Sequence, residues 1–182
     1  MQVVKENLAS NLVEIDTFMK VFNGDINKPF EIYLTKEFTI ENYKTAPFNC
    51  MIEGYDDFII NQQGFNLLKN HTTIKSASGQ QIALEISEFY NNHPIEVTVG
   101  NKELGIRYME NLKNMENFDW FSTYVLDHKL DEFVDYISSN PNAKNRILVY
   151  FLLFREYVNE LTLFNREAKK LILEIDMYLK EN

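Results

Sequence analysis

Residues 141–180 read PNAKNRILVYFLLFREYVNELTLFNREAKKLILEIDMYLK, and the fold turns on their spacing. Ile147, Phe151, Phe154, Val158, Leu161, Asn165, Ala168, Ile172, Ile175 and Leu179 follow alternating steps of four and three, which keeps them on one stripe of an α-helix. Tyr150, Tyr157, Phe164, Leu171 and Tyr178 recur every seven residues beside that stripe. A face this broad exceeds the needs of a two-stranded seam and calls for packing by two or more helices. Asn140-Pro141 supplies an N-cap followed by proline at the first helical position. A helix over 141–180 would be roughly 55–60 Å long. A compact sphere of this chain would be only about 40 Å across. The expectation is therefore an all-α, elongated helical bundle with a long C-terminal helix and the N-terminal helix against its far end.

Composition agrees with an all-helical chain. Six Gly and four Pro in 182 residues cannot punctuate a sandwich or barrel, which needs a turn every ~8–12 residues. Hydrophobic residues make up 45% and aromatics 14%, enough for a packed core and too many for wholesale disorder. The net charge of −9 repels a polyanion, and the basic residues Arg166, Lys169 and Lys170 sit beside Glu167 and Glu174, so no nucleic-acid partner is expected. Cys50 is the only cysteine, which excludes an intramolecular disulfide and a thiolate metal site. The longest apolar run, 147–154, falls far short of the ~20 residues of a membrane span, and the chain as written reads as soluble.

One domain is expected, organised as an N-terminal helix over 1–23, an irregular segment near 25–62, short helices over 64–138 and the long helix over 141–180. In the first, Leu8, Leu12, Ile15, Met19 and Phe22 form the stripe and Asn23-Gly24 closes it. In 25–62, Phe30, Ile32 and Leu34 alternate, as do Phe38 and Ile40, but Pro29, Pro47 and Gly54 interrupt, so extended pieces and helical turns fit equally well. Phe65, Leu67 and Leu68 open a short helix that stops near Asn70-His71. Ser78-Gly79-Gln80-Gln81 has the form of a capping box with Ser78 as N-cap, ahead of Ile82, Ile86 and Phe89. His93-Pro94 is expected to end that helix, with another over 102–116. Asp119 is positioned to cap a segment holding Trp120, Phe121 and Tyr124, and Leu130, Phe133, Val134 and Ile137 follow the helical pattern.

Chemistry-bearing patterns are sparse. Asp127, His128, Asp131, Glu132 and Asp135 fall at i, i+4 spacings on one continuous helix. Such groups could serve a hard cation or acid–base work, or they could be solvated acids near a helix start. Glu53, Asp56 and Asp57 around Gly54 lack the alternating ligand spacing of an EF-hand and read as an exposed turn. Phosphate-cradling glycine loops and a nucleophile elbow are absent, and no cofactor is implied. Asn165 interrupts the apolar stripe at a heptad position where a buried Asn sets partner number, or else it lies at the exposed edge of a bundle. The tyrosines Tyr150, Tyr157 and Tyr178 are either core with wet hydroxyls or, with Asn165, an interaction surface.

From Gly64 onward the sequence resembles a Bacteroidetes family of uncharacterised proteins, each a single-pass membrane anchor followed by a helical domain. The resemblance lies in Gly64-Phe65-Asn66-Leu67-Leu68, Ile86-Ser87-Glu88-Phe89-Tyr90-Asn91, Phe133-Val134-Asp135-Tyr136-Ile137, Asn145-Arg146 and Glu174-Ile175-Asp176, about two-thirds of the chain. It implies a shared helical fold and carries no catalytic residue. It also implies an anchor just upstream of the first helix. The sequence has no span before Met1, so it is expected to be either the anchor-free part of such a protein or a soluble relative. The first case implies the extracytoplasmic side of the inner membrane, the second the cytoplasm. The function expected from all of this is a non-enzymatic interaction or scaffold domain that binds a protein partner or itself through the C-terminal helix. The alternatives are a metal-dependent enzyme using Asp127, His128, Asp131 and Glu132, and an acidic inhibitor that mimics DNA.

Overall fold

In the computed structural model of the chain, residues 1–20, 27–34, 38–45, 58–71, 74, 76–127 and 129–181 are described. Among them every regular element is a helix: α1 (Gln2–Lys20), α2 (Asn27–Leu34), α3 (Ile40–Thr45), α4 (Gln63–His71), α5 (Ala77–Met115), α6 (Phe121–Asp127), α7 (Asp131–Ser139) and α8 (Pro141–Glu181). The molecule is all-α, as its spacing and its shortage of Gly and Pro require. α8 runs unbroken for 41 residues, and Asn140 caps it as expected: its Oδ1 accepts from the backbone N–H of Asn142 at 3.0 Å and of Ala143 at 3.2 Å.

The chain divides into two units. Unit 1 gathers the described residues of 1–20, 58–99 and 157–182. Within it α1 and α5 each run antiparallel to α8: Lys5 pairs with Asp176, Asn165 donates to Asp16 at 2.7 Å, and Phe18 meets Tyr157 edge-on at 6.0 Å. Phe89 of α5 meets Phe164 of α8 at 5.0 Å. The core between these helices is Val4, Leu8, Ile15, Ile86, Leu161, Phe164, Ala168 and Ile175, all fully buried. Each large side chain among them contributes about 1.5–3 kcal/mol relative to exposure.

α4 is tied to α1 by polar clamps rather than by a stripe. Asn11 is buried, accepting from the Asn61 backbone N–H at 2.9 Å and donating to the Asn61 carbonyl at 3.2 Å. Asn7 accepts from the Gly64 N–H at 2.6 Å. These two side chains satisfy the backbone of Asn61, just before α4, and an N–H in the first turn of α4 that has no partner within the helix.

Unit 2 holds the described residues of 21–57 and 100–156. Tyr33 is its peg. The ring packs edge-on against Phe38 at 5.2 Å and Phe151 at 5.0 Å, and its hydroxyl donates to the Lys144 carbonyl at 3.1 Å. Burial pushes the Tyr33 hydroxyl pKa well above the ordinary phenol range. α6 and α7 join through aromatic stacking, Tyr124 on Phe133 at 4.4 Å, with Trp120 5.2 Å from Tyr136. Arg146 of α8 donates to the Tyr136 hydroxyl at 2.8 Å.

Four sequence expectations change. Pro94 does not end its helix; α5 continues through it for 39 residues, and the helix expected separately over 102–116 is the second part of α5. A proline inside a helix costs about 3 kcal/mol, for the lost N–H bond and the ring's crowding of the preceding turn. Burial on both sides of it offsets that, through Ile86, Phe89, Tyr90, Val97 and Leu104. The N-cap of α5 is Ser76, whose Oγ accepts from the Gly79 N–H at 3.1 Å; Ser78 is exposed in the first turn, and the Gln81 amide donates forward to Glu85 at 2.8 Å. The described parts of 25–62 include two short helices, α2 and α3, the second opened by the Thr39 hydroxyl accepting from the Asn42 N–H at 3.2 Å. Finally, Asp127 ends α6 and Asp131 opens α7, so Asp127, Asp131 and Asp135 do not share a helix. Phe22, Asn23-Gly24, Pro47, Cys50, the Glu53–Asp57 turn and His128 lie outside the described residues.

Candidate functional site

The first four turns of α5 wall two concavities of unit 1, one on each side. Gln80, Ala83, Leu84 and Ser87 fall at i, i+3, i+4 and i+7 and therefore share a face. With Phe65, Leu68 and Lys69 of α4, and with Ile74, they line a groove of about 450 Å³. Phe65 forms its floor, stacked parallel on Tyr90 at 4.8 Å. Leu84 stands at its rim with 60% of its surface in water. Although acids outnumber bases in the chain by 27 to 18, among the described residues no carboxylate lines this groove, and Lys69 is the ionised residue that does.

On the other side, Glu85, Glu88, Asn92 and His93 of α5 face Glu167, Lys170 and Glu174 of α8 across a cleft of about 250 Å³ with Phe89 and Leu171 beneath. Its charges are unbalanced. Lys170 Nζ donates to both oxygens of Glu167, at 3.1 and 3.0 Å, and Arg166 Nε donates to the same carboxylate at 2.7 Å. Those hydrogen bonds hold the Glu167 carboxyl below the ordinary range. Glu174 is shifted the other way: burial raises its pKa, the charge of Glu85 and a hydrogen bond to Glu85 raise it further, and Lys170 opposes them in part.

The residues singled out from the sequence do not assemble into one site. Tyr150 and Tyr157 are buried, 1% and 3% exposed, so their rings belong to the core and offer no surface to a partner. Tyr178 is half-buried against the start of α5, where a Cβ added to Gly79 would come 2.8 Å from its hydroxyl. Asn165 sits at a half-exposed edge, bonded to Asp16 of α1. Asp127, Asp131 and Glu132 are all exposed; Asp127 lies 3.9 Å from Lys129, while Asp131 and Glu132 occupy the first turn of α7, where the helix dipole favours them. Among the described residues no group of His, Cys, Asp and Glu is arranged to hold a metal ion, and no helix is long and apolar enough to cross a membrane.

The groove was missed in the sequence although it left a trace there. Leu84 lies off the buried stripe of Ile82, Ile86 and Phe89, which makes it an apolar residue without an assigned neighbour. The acidic cleft left none, since its two walls are about eighty residues apart. No protein family, curated protein or solved structure compared with the chain matches it.

Proposed function

We propose that the chain is a non-enzymatic helical interaction domain that receives an apolar side chain or short amphipathic segment of a protein partner in the groove between α4 and α5. The observation that supports this is the groove itself: a concavity of about 450 Å³, with an aromatic floor, an exposed leucine at the rim and no carboxylate among the described residues of its walls. Apolar concavities with a few polar groups at the edge are where proteins take ligands and partner anchors. Self-association through α8 has less support, because both of its stripes are occupied by the chain's own helices. That leaves Leu173 and Met177, 64% and 58% exposed, as its largest outward apolar residues in unit 1. The metal-enzyme alternative loses the shared helix on which it was read. The resemblance noted in the sequence adds a location to the proposal, as the soluble part of a membrane-anchored protein.

Selection of displayed peptides against the wild-type chain, with counter-selection on Leu84→Glu, tests the reading. Leu84 is exposed enough for the variant to fold. Enriched peptides should carry one or two large apolar anchors and lose at least tenfold in affinity on the variant. Failure to enrich any peptide that distinguishes the two proteins would overturn the groove as the binding site.

A further inference from the structure

Glu85 and Glu174 reach one cleft from two helices that run side by side in unit 1, and the cation nearest them is already committed. Lys170 holds both oxygens of Glu167, and Arg166 holds the same carboxylate. The other ionisable groups facing the cleft are Glu88 and His93 from α5 and Glu167 from α8. α1, which also packs on α8, commits Lys5 to Asp176, and Asp16 to Asn165 and Lys169. Besides His93, the described residues of the cleft lining carry four carboxylates and one ammonium. We propose that Glu85 and Glu174 form a shared-proton latch between α5 and α8, which tightens their pairing in acid and loosens it as the pH rises.

The chemistry is that of a carboxylic acid beside a carboxylate. With one proton between them, the protonated group donates to the other, and the two helices gain a charge-assisted hydrogen bond. With none, two like charges face each other across the cleft and can only repel. Gln81, one turn earlier on α5, donates to Glu85 Oε1 at 2.8 Å. The direction of the pH effect follows from Glu174. Its folded-state pKa is raised, so the folded chain binds the proton more tightly than the unfolded chain does. The stabilisation is complete below the ordinary glutamate pKa and is lost as pH climbs through the raised value.

A carboxyl-carbon NMR titration of the full chain tests the latch directly. Glu174 should titrate above the other glutamates, and Glu85→Gln should move its midpoint down, because the amide donates to the carboxylate without adding charge. In parallel, Glu174→Gln should melt about 1–3 °C higher than wild type near pH 7.5 and level with it near pH 4.5. The proposal fails if Glu174 titrates with the ordinary glutamates, if Glu85→Gln leaves its midpoint in place, or if Glu174→Gln shifts melting equally at both pH values. Should Glu174→Gln not fold, the Glu85→Gln titration decides alone.

Discussion

At Gly64 the α-carbon faces backbone rather than side chains. A Cβ built there would lie 2.7 Å from the Val4 nitrogen and 2.8 Å from the Val3 carbonyl carbon, and neither can move without breaking the first turn of α1. Gly64→Ala should therefore lower stability by about 2–3 kcal/mol in urea unfolding, at the upper end of overpacking costs. Gly79→Ala should lose less, since the three atoms nearest its Cβ belong to the side chains of Ile74, Ser76 and Tyr178. An equal loss at both positions would refute this difference between backbone and side-chain neighbours. None of this is legible in the sequence, where Gly64 only precedes the apolar residues Phe65, Leu67 and Leu68 that open a short helix. Its neighbours lie some sixty residues away, and the Asn61 backbone is fifty residues from the Asn11 that clamps it. Close approach between distant segments has no period for a sequence reading to detect.

The helices divide by what decides them. α8 could be read almost to the residue, because a cap, a 4-3 stripe and freedom from breakers all act within the helix itself. In α7 the residues Phe133, Val134 and Ile137 are buried as their spacing requires. α5 was read as two helices because Pro94 carries a local penalty, while the packing that outweighs the penalty is tertiary. Pro94→Ala should return an N–H to the Tyr90 carbonyl and raise stability by about 1–2 kcal/mol, less than the full proline penalty because buried ring volume is lost. Unfolding in denaturant would show it as a higher midpoint at unchanged slope, and a lower midpoint would mean that the ring is essential packing. In α2 the alternation of Phe30, Ile32 and Leu34 was ambiguous for a simple reason. Over eight residues a two-residue rhythm overlaps a helical one, and the fully buried member is Tyr33, which stood outside that rhythm.

At the scale of the molecule, net charge and composition excluded more than they identified. The acidic excess argued against a nucleic-acid partner, yet it gave no hint that, among the described residues, four carboxylates line one cleft while none lines the neighbouring groove. Asn165 belongs at this scale too, because the sequence offered it as a selector of partner number. Its amide is bonded to Asp16 of the same chain, so Asn165→Leu should give the wild-type mass in sedimentation equilibrium over a hundredfold concentration range. A changed mass would return it to that role. The cost to stability should be about 0.5–1 kcal/mol, the net worth of one hydrogen bond.

Unit 1 is assembled from three separate stretches of chain, and that has a consequence for synthesis. α1 leaves a ribosome well before its partners on α8: Lys5 and Asp176 are 171 residues apart, and Asp16 and Asn165 are 149 apart. At ~5–20 residues per second, the apolar stripe of Leu8, Leu12 and Ile15 must wait roughly 10–35 seconds for Leu161, Phe164 and Ile175 to emerge. All of unit 2 is translated within that interval. Birth order therefore favours completing unit 2 first, while the face of α1 that α8 covers stays exposed, in need of a chaperone or a transient partner, until the last turns of α8 arrive.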